Sequence, residues 1–84
     1  MGPASYEREI ARTRARYAKA ADRFVHAMAQ WQREQVPIAV AEDMVPQWTI
    51  QQRDATWRAA DAFADLVTSH RAWEKLLQQL GHQR

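Results

Sequence analysis

Three histidines, ten Asp/Glu residues and six Ser/Thr are the groups in this 84-residue chain that could carry acid–base, nucleophilic or metal chemistry. Their spacing argues against each. His26, His70 and His82 stand at no metal-ligand spacing, and neither His-x-x-x-His nor Glu-x-x-His occurs. Ser69 and His70 are neighbours that point about 100° apart on a helix, so Asp65-Ser69-His70 makes a poor nucleophile, base and acid triad. Asp61 and Asp65 share a helical face and could hold a cation, but two carboxylates so placed are far more often surface acids. His70, beside Phe63, Leu66 and Trp73, reads as a structural histidine paired with Glu74, with a pH-sensitive interface contact as the sharper alternative. There is no cysteine and no glycine-rich phosphate loop. The expected protein is not an enzyme and holds no metal or cofactor.

One charge pattern does point to a partner. Arg8, Arg12, Arg16, Lys19 and Arg23 recur at helical spacing and form a basic ridge. Like charges on one ridge repel by a few tenths of a kcal/mol per pair, roughly, so an anionic neighbour is called for. Asp54, Asp61 and Asp65 share a face farther along and can supply it: a turn about residue 41 would set Arg16 near Asp65 and Lys19 or Arg23 near Asp61. Simple solvation would serve as well; the alternative counter-anions are nucleic-acid phosphate and, after it, an acidic protein or membrane surface.

The elements that position these residues are helices. Sixteen alanines, nine glutamines and only two glycines leave good helix formers at nearly every position. With 46% apolar and 26% charged residues the chain should fold, and its length fits a single domain over residues 1–84. No apolar run approaches the roughly 18 residues of a membrane span, and no basic-then-apolar leader opens the chain, so no membrane partner is expected and the location reads as cytoplasmic. Ten arginines against two lysines accord with GC-rich bacterial or phage coding.

The first helix is expected over about residues 5–35, with Ser5 as N-cap and Pro37 marking its end. An apolar connection follows over 36–48, in which residues 38–45 read equally as a short helix or an extended arm. Thr49 with Gln52 fits a capping box, so a second helix is expected over about 49–80, closed by Gly81. The fold class is therefore all-α: an antiparallel two-helix hairpin assembling into a dimeric helical bundle.

The faces of these helices support that assembly. Tyr6, Ile10, Thr13, Tyr17, Ala20, Phe24, Ala27 and Trp31 alternate steps of four and three, a coiled-coil seam widened by Ala21 and Met28. The second helix has two apolar stripes, Trp57-Ala60-Ala64-Val67 and Ala59-Phe63-Leu66-His70-Trp73-Leu77-Leu80, hence two neighbours. Alternatively its last turns bend near Ser69 to cover the first helix. Phe24 is expected against Trp57 in mid-hairpin. Four tryptophans exceed what one hairpin can hide. Ile38, Val40, Met44, Val45 and Trp48 make the connection unusually apolar, either a packed lid or a docking site with Met44 and Trp48 as anchors.

No family is recognised: Trp48-Thr49-Ile50 lacks the glycine of secreted WXG-type hairpins, and no Tyr-x-x-x-Asp/Glu signal follows. Dimeric four-helix RNA-regulator hairpins share the expected architecture only. The function expected is protein–protein interaction by a self-associating hairpin, an adaptor or regulator, through Met44, Trp48, Trp57, Val67, Trp73, Leu77 and Leu80. The alternative is a small nucleic-acid-binding regulator using Arg8, Arg12, Arg16, Lys19 and Arg23.

Overall fold

The computed structural model describes the backbone of residues 3–37 and 47–82 and the side chains of residues 6–37 and 47–81. Helix α1 spans Pro3–Arg33 and helix α2 spans Ile50–His82. They pack as a hairpin of 56 × 23 × 13 Å, whose least dimension is that of a single layer of helices.

Local chemistry explains the helix ends. Pro3 occupies the first turn of α1, where its fixed φ suits the helix and its missing N–H has no intrahelical partner to lose. Ser5 therefore lies inside the helix and is not its N-cap. At the other end the Gln35 N–H bonds the Gln32 carbonyl at 3.1 Å while Gln35 takes φ 50°, the left-handed residue that unwinds a helix. The chain then leaves through buried Val36 and through Pro37, which cannot donate to a continuing helix.

The start of α2 is the expected capping box. Gln52 N–H donates to Thr49 Oγ1 at 3.1 Å and Thr49 N–H donates to Gln52 Oε1 at 3.0 Å, satisfying two amides at the helix entrance. The far end differs from expectation. Gly81 has no positive φ and sits within α2, so it is not a C-cap, and α2 is an unbroken helix past Ser69 to His82.

Three cross-helix pairs fix the register. Tyr17 OH and His70 Nδ1 lie 2.9 Å apart, the Phe24 and Phe63 ring centroids are 5.8 Å apart, and Trp31 Nε1 donates to Thr56 Oγ1 at 3.1 Å. Each step is seven residues up α1 and seven down α2, so one straight edge of the seam carries all three. Gln52 Nε2 donates to the Glu34 carbonyl at 3.1 Å and Trp48 Nε1 donates to the Pro37 carbonyl at 2.9 Å, continuing the same register toward the connection.

Two expectations are corrected by this register. Arg23, not Arg16, reaches Asp65, at 3.9 Å, and Phe24 meets Phe63 and not Trp57. A turn centred on residue 41 would shift every pair by about five residues. The seam packing sets the register, and the connection does not bisect it.

The fully buried positions of the seam are mostly small residues. Ala20 of α1 and Ala55, Ala59, Ala62, Ser69 and Leu76 of α2 are buried, with Val36 at the connection end. Every expected seam residue of α1, Tyr6 to Trp31, is buried or half-buried. In α2 the expected stripes are offset from the face that meets α1. The inward line is Ala55, Ala59, Ala62, Leu66, Ser69, Trp73, Leu76 and Leu80, whereas Trp57, Phe63 and Leu77 are 64%, 54% and 48% exposed.

Candidate interaction surfaces

A hairpin one layer thick presents two broad faces, and the sequence makes them chemically unlike. On the face holding the Tyr17–His70, Phe24–Phe63 and Trp31–Thr56 pairs, α2 adds exposed Phe63 and Ala60 with half-buried Val67. Exposed Trp57 and Ala64 follow at the outer edge of this flank, on the side of α2 farthest from the inward line of Ala55, Ala59, Ala62 and Leu66. Directly across, α1 contributes half-buried Ala21 and Met28 and Val25, which is 64% exposed. The bulky α1 seam residues Tyr17, Phe24 and Trp31 lean to this side because alanines fill the other edge of the seam. The result is an apolar patch in the connection-side half of the hairpin. None of the eight aromatic side chains is buried.

The opposite face is polar. Arg23 and Asp65 pair across it, and an open groove of about 470 Å³ runs between the helices, with Arg23, His26, Gln30, Arg33 and Arg58 over a floor of Ala27 and Ala62. Arg58 is held by Asp54 at 3.2 Å and His26 lies 3.7 Å from Asp22, with its Nδ1 2.8 Å from the Asp22 carbonyl. These pairs are solvent-exposed and contribute little to stability. The basic ridge is exposed along its length, and among the described residues Arg8, Arg12, Arg16 and Lys19 form no ion pair. The helical period carries the ridge beyond its expected end at Arg23 to Arg33, a continuation interrupted in sequence by His26 and Gln30.

The other candidate positions distribute as follows. Val67, Trp73 and Leu80 are half-buried, Trp73 and Leu80 on the line toward α1 and Val67 on the apolar flank. Leu77 stands on the same flank, two turns beyond His70. Trp48 is half-buried and bonded to Pro37, so its indole ties the two ends of the connection together. Met44 lies outside the described residues, as do Ile38, Val40 and Val45. His70 has its expected partner, Glu74, at 3.8 Å, and a second in Tyr17, whose ring stands edge-on at 5.4 Å.

Ser69 is a packing residue of the seam. It is 1% exposed, and its hydroxyl has no hydrogen-bond partner. Its place in the seam was legible in the seven-residue spacing from Ala55 and Ala62, but serine carries no hydrophobic signal. Among the described residues no three of His, Cys, Asp and Glu converge on a metal position, and no helix is long and apolar enough to cross a membrane.

No protein-family model, curated protein or solved structure matches this chain.

Proposed function

We propose that this chain is a non-enzymatic, cytoplasmic helical protein that acts through protein–protein interaction. In this reading two antiparallel hairpins stack, apolar face against apolar face, into a homodimeric four-helix bundle that serves as an adaptor or regulator. The observation that carries it is that none of the eight aromatic side chains is buried, with Trp57 and Phe63 more than half exposed, in a hairpin whose buried positions are mostly alanine. A domain ordinarily buries its apolar faces between at least two layers, and a second copy supplies the missing layer. One broad face, 56 by 23 Å, offers on the order of 1,200 Å², against roughly 800 Å² per partner in a standard interface.

The test is the double substitution Trp57→Ser with Phe63→Ser, followed by light scattering and circular dichroism. Both side chains are more than half exposed in the single hairpin, so helicity should survive while the dimer is lost. An unchanged mass would move the interface elsewhere.

A second reading, a nucleic-acid-binding regulator, draws on the exposed ridge of Arg8, Arg12, Arg16, Lys19 and Arg23 and its continuation to Arg33. Titration with labelled duplex and single-stranded oligonucleotides separates the two. Phosphate binding weakens steeply between low and physiological salt, whereas apolar association does not.

A further inference from the structure

We propose that the open half of the polar face, the half away from the connection, docks on the phosphate backbone of a nucleic-acid duplex through Arg8, Arg12, Arg16, Lys19 and Lys75. This rests on the second reading above and narrows it to one stretch of surface and one form of nucleic acid.

The register decides which anions the ridge can meet. The pairs Tyr17–His70, Phe24–Phe63 and Trp31–Thr56 set residue 12 opposite residue 75 and residue 19 opposite residue 68. By the same register Asp54, Asp61 and Asp65 lie level with residues 33, 26 and 22 of α1, in the connection half. There Asp65 reaches Arg23 at 3.9 Å and Asp54 holds Arg58 at 3.2 Å. From Asp65 toward the open end, steps of three and four along the same flank of α2 give Thr68, Ala72, Lys75 and Gln79, with no acid among them. Arg8, Arg12, Arg16 and Lys19 therefore face neutral residues and one further cation, and all five basic side chains are exposed. Glu9 is the one acid between residues 8 and 19, which leaves this stretch a net of +4. Asp22, nearly a turn past Lys19, lies against His26 at 3.7 Å, and Glu74 pairs with His70 on the other flank of α2. Internal neutralisation is confined to the connection half.

The form of the partner follows from length and from what the face lacks. From Arg8 to Lys19 the ridge runs about 16 Å at about 1.5 Å per residue. A duplex of that length presents about ten phosphate charges at one per roughly 1.7 Å, half of them on the near strand, a match for five cations. Single strands are ordinarily gripped by stacking bases on aromatic side chains. The open half of this face offers none, because Tyr6 and Trp73 lie in the seam and Tyr17 leans to the apolar face. Helices that lie on an anionic membrane bury an apolar side next to their cations, whereas here the apolar patch is on the opposite face. The contacts are to phosphate, so binding is independent of sequence. A second copy on the apolar face leaves this surface uncovered.

Fluorescence anisotropy with a labelled mixed-sequence duplex of about 20 base pairs, at about 50–200 mM salt, tests the placement. The unmodified chain should bind with a log–log salt slope between about −4 and −4.5, from five phosphate contacts at about −0.9 each. Arg12→Gln with Arg16→Gln should reduce that slope by about 2 and weaken binding at the lowest salt at least roughly tenfold. Arg33→Gln with Arg58→Gln removes the same charge from the connection half and should leave the slope within about 0.5 of its original value. All four arginines are exposed, and circular dichroism checks that each variant is folded. A slope lowered equally by both pairs overturns the placement in the open half while the nucleic-acid reading stands. Tighter binding of a single strand of the same length overturns the choice of duplex. No binding of either at low salt, or binding only of polyglutamate or of phosphatidylserine vesicles, overturns the reading and the inference together.

Discussion

Trp31 donates its indole N–H to Thr56 Oγ1 at 3.1 Å, and the Thr56 hydroxyl donates in turn to the Gln52 carbonyl at 2.8 Å. This relay ties the last turns of α1 to the first turns of α2 at the edge of the apolar face. Thr56→Val keeps the shape but leaves the half-buried indole N–H unpaired, and should cost about 1 kcal/mol. Urea unfolding of the two proteins measures it. No loss of stability would mean that water serves the indole as well as threonine does.

Ser69 presents the opposite case, a buried hydroxyl with nothing to bond. Ser69→Ala removes a desolvated polar group and installs a better helix former, so stability should rise by about 1 kcal/mol. For a chain of this size that is roughly 4–8 °C in Tm. A fall in Tm would show that the hydroxyl has a partner in solution.

Gln35 and Gly81 occupy each other's natural places. Gln35 sits at φ 50°, where glycine is unstrained, while Gly81 is helical with open space around a would-be Cβ. Gln35→Gly and Gly81→Ala should each stabilise, by about 0.5–1 kcal/mol, the second less if the last turn frays. Thermal melts of both variants check the pair. Destabilisation by Gly81→Ala would restore that glycine as a left-handed cap.

Phe24 reports on what covers the apolar face. A fully buried phenylalanine costs about 3–5 kcal/mol on truncation, but Phe24 is only half-buried within one hairpin. If the face is covered by a second copy, Phe24→Ala should approach the full cost at high protein concentration and fall toward half of it on dilution. A cost of about 2 kcal/mol at every concentration would describe a hairpin that stays alone.

The structure follows the sequence unevenly, for reasons of residue size. The α1 seam was legible because its members are bulky: Ile10, Tyr17, Phe24 and Trp31 at steps of seven leave no doubt which side faces inward. In α2 the inward residues are small. Ala55, Ala59, Ala62 and Ser69 are silent on any scale weighted by apolar bulk, while Trp57, Phe63 and Leu77 signal loudly from the flank. Periodicity therefore found the apolar positions of α2 but turned the helix by up to half a face. The capping box at Thr49 and Gln52 was exact in position because it depends on two side chains three residues apart and on nothing distant. Register was not, since it depends on how alanines of the two helices interleave. The two unlike faces emerge only once that register is known, because each is made half from α1 and half from α2.

Sedimentation equilibrium of the unmodified chain bears most directly on the central claim. From about 10 to 100 μM the mass should be twice 9.8 kDa and fall toward 9.8 kDa on dilution, because a single layer of helices leaves all its aromatic side chains in part exposed. A monodisperse 9.8 kDa species throughout that range would contradict the account, and would mean that the apolar face stands open to solvent.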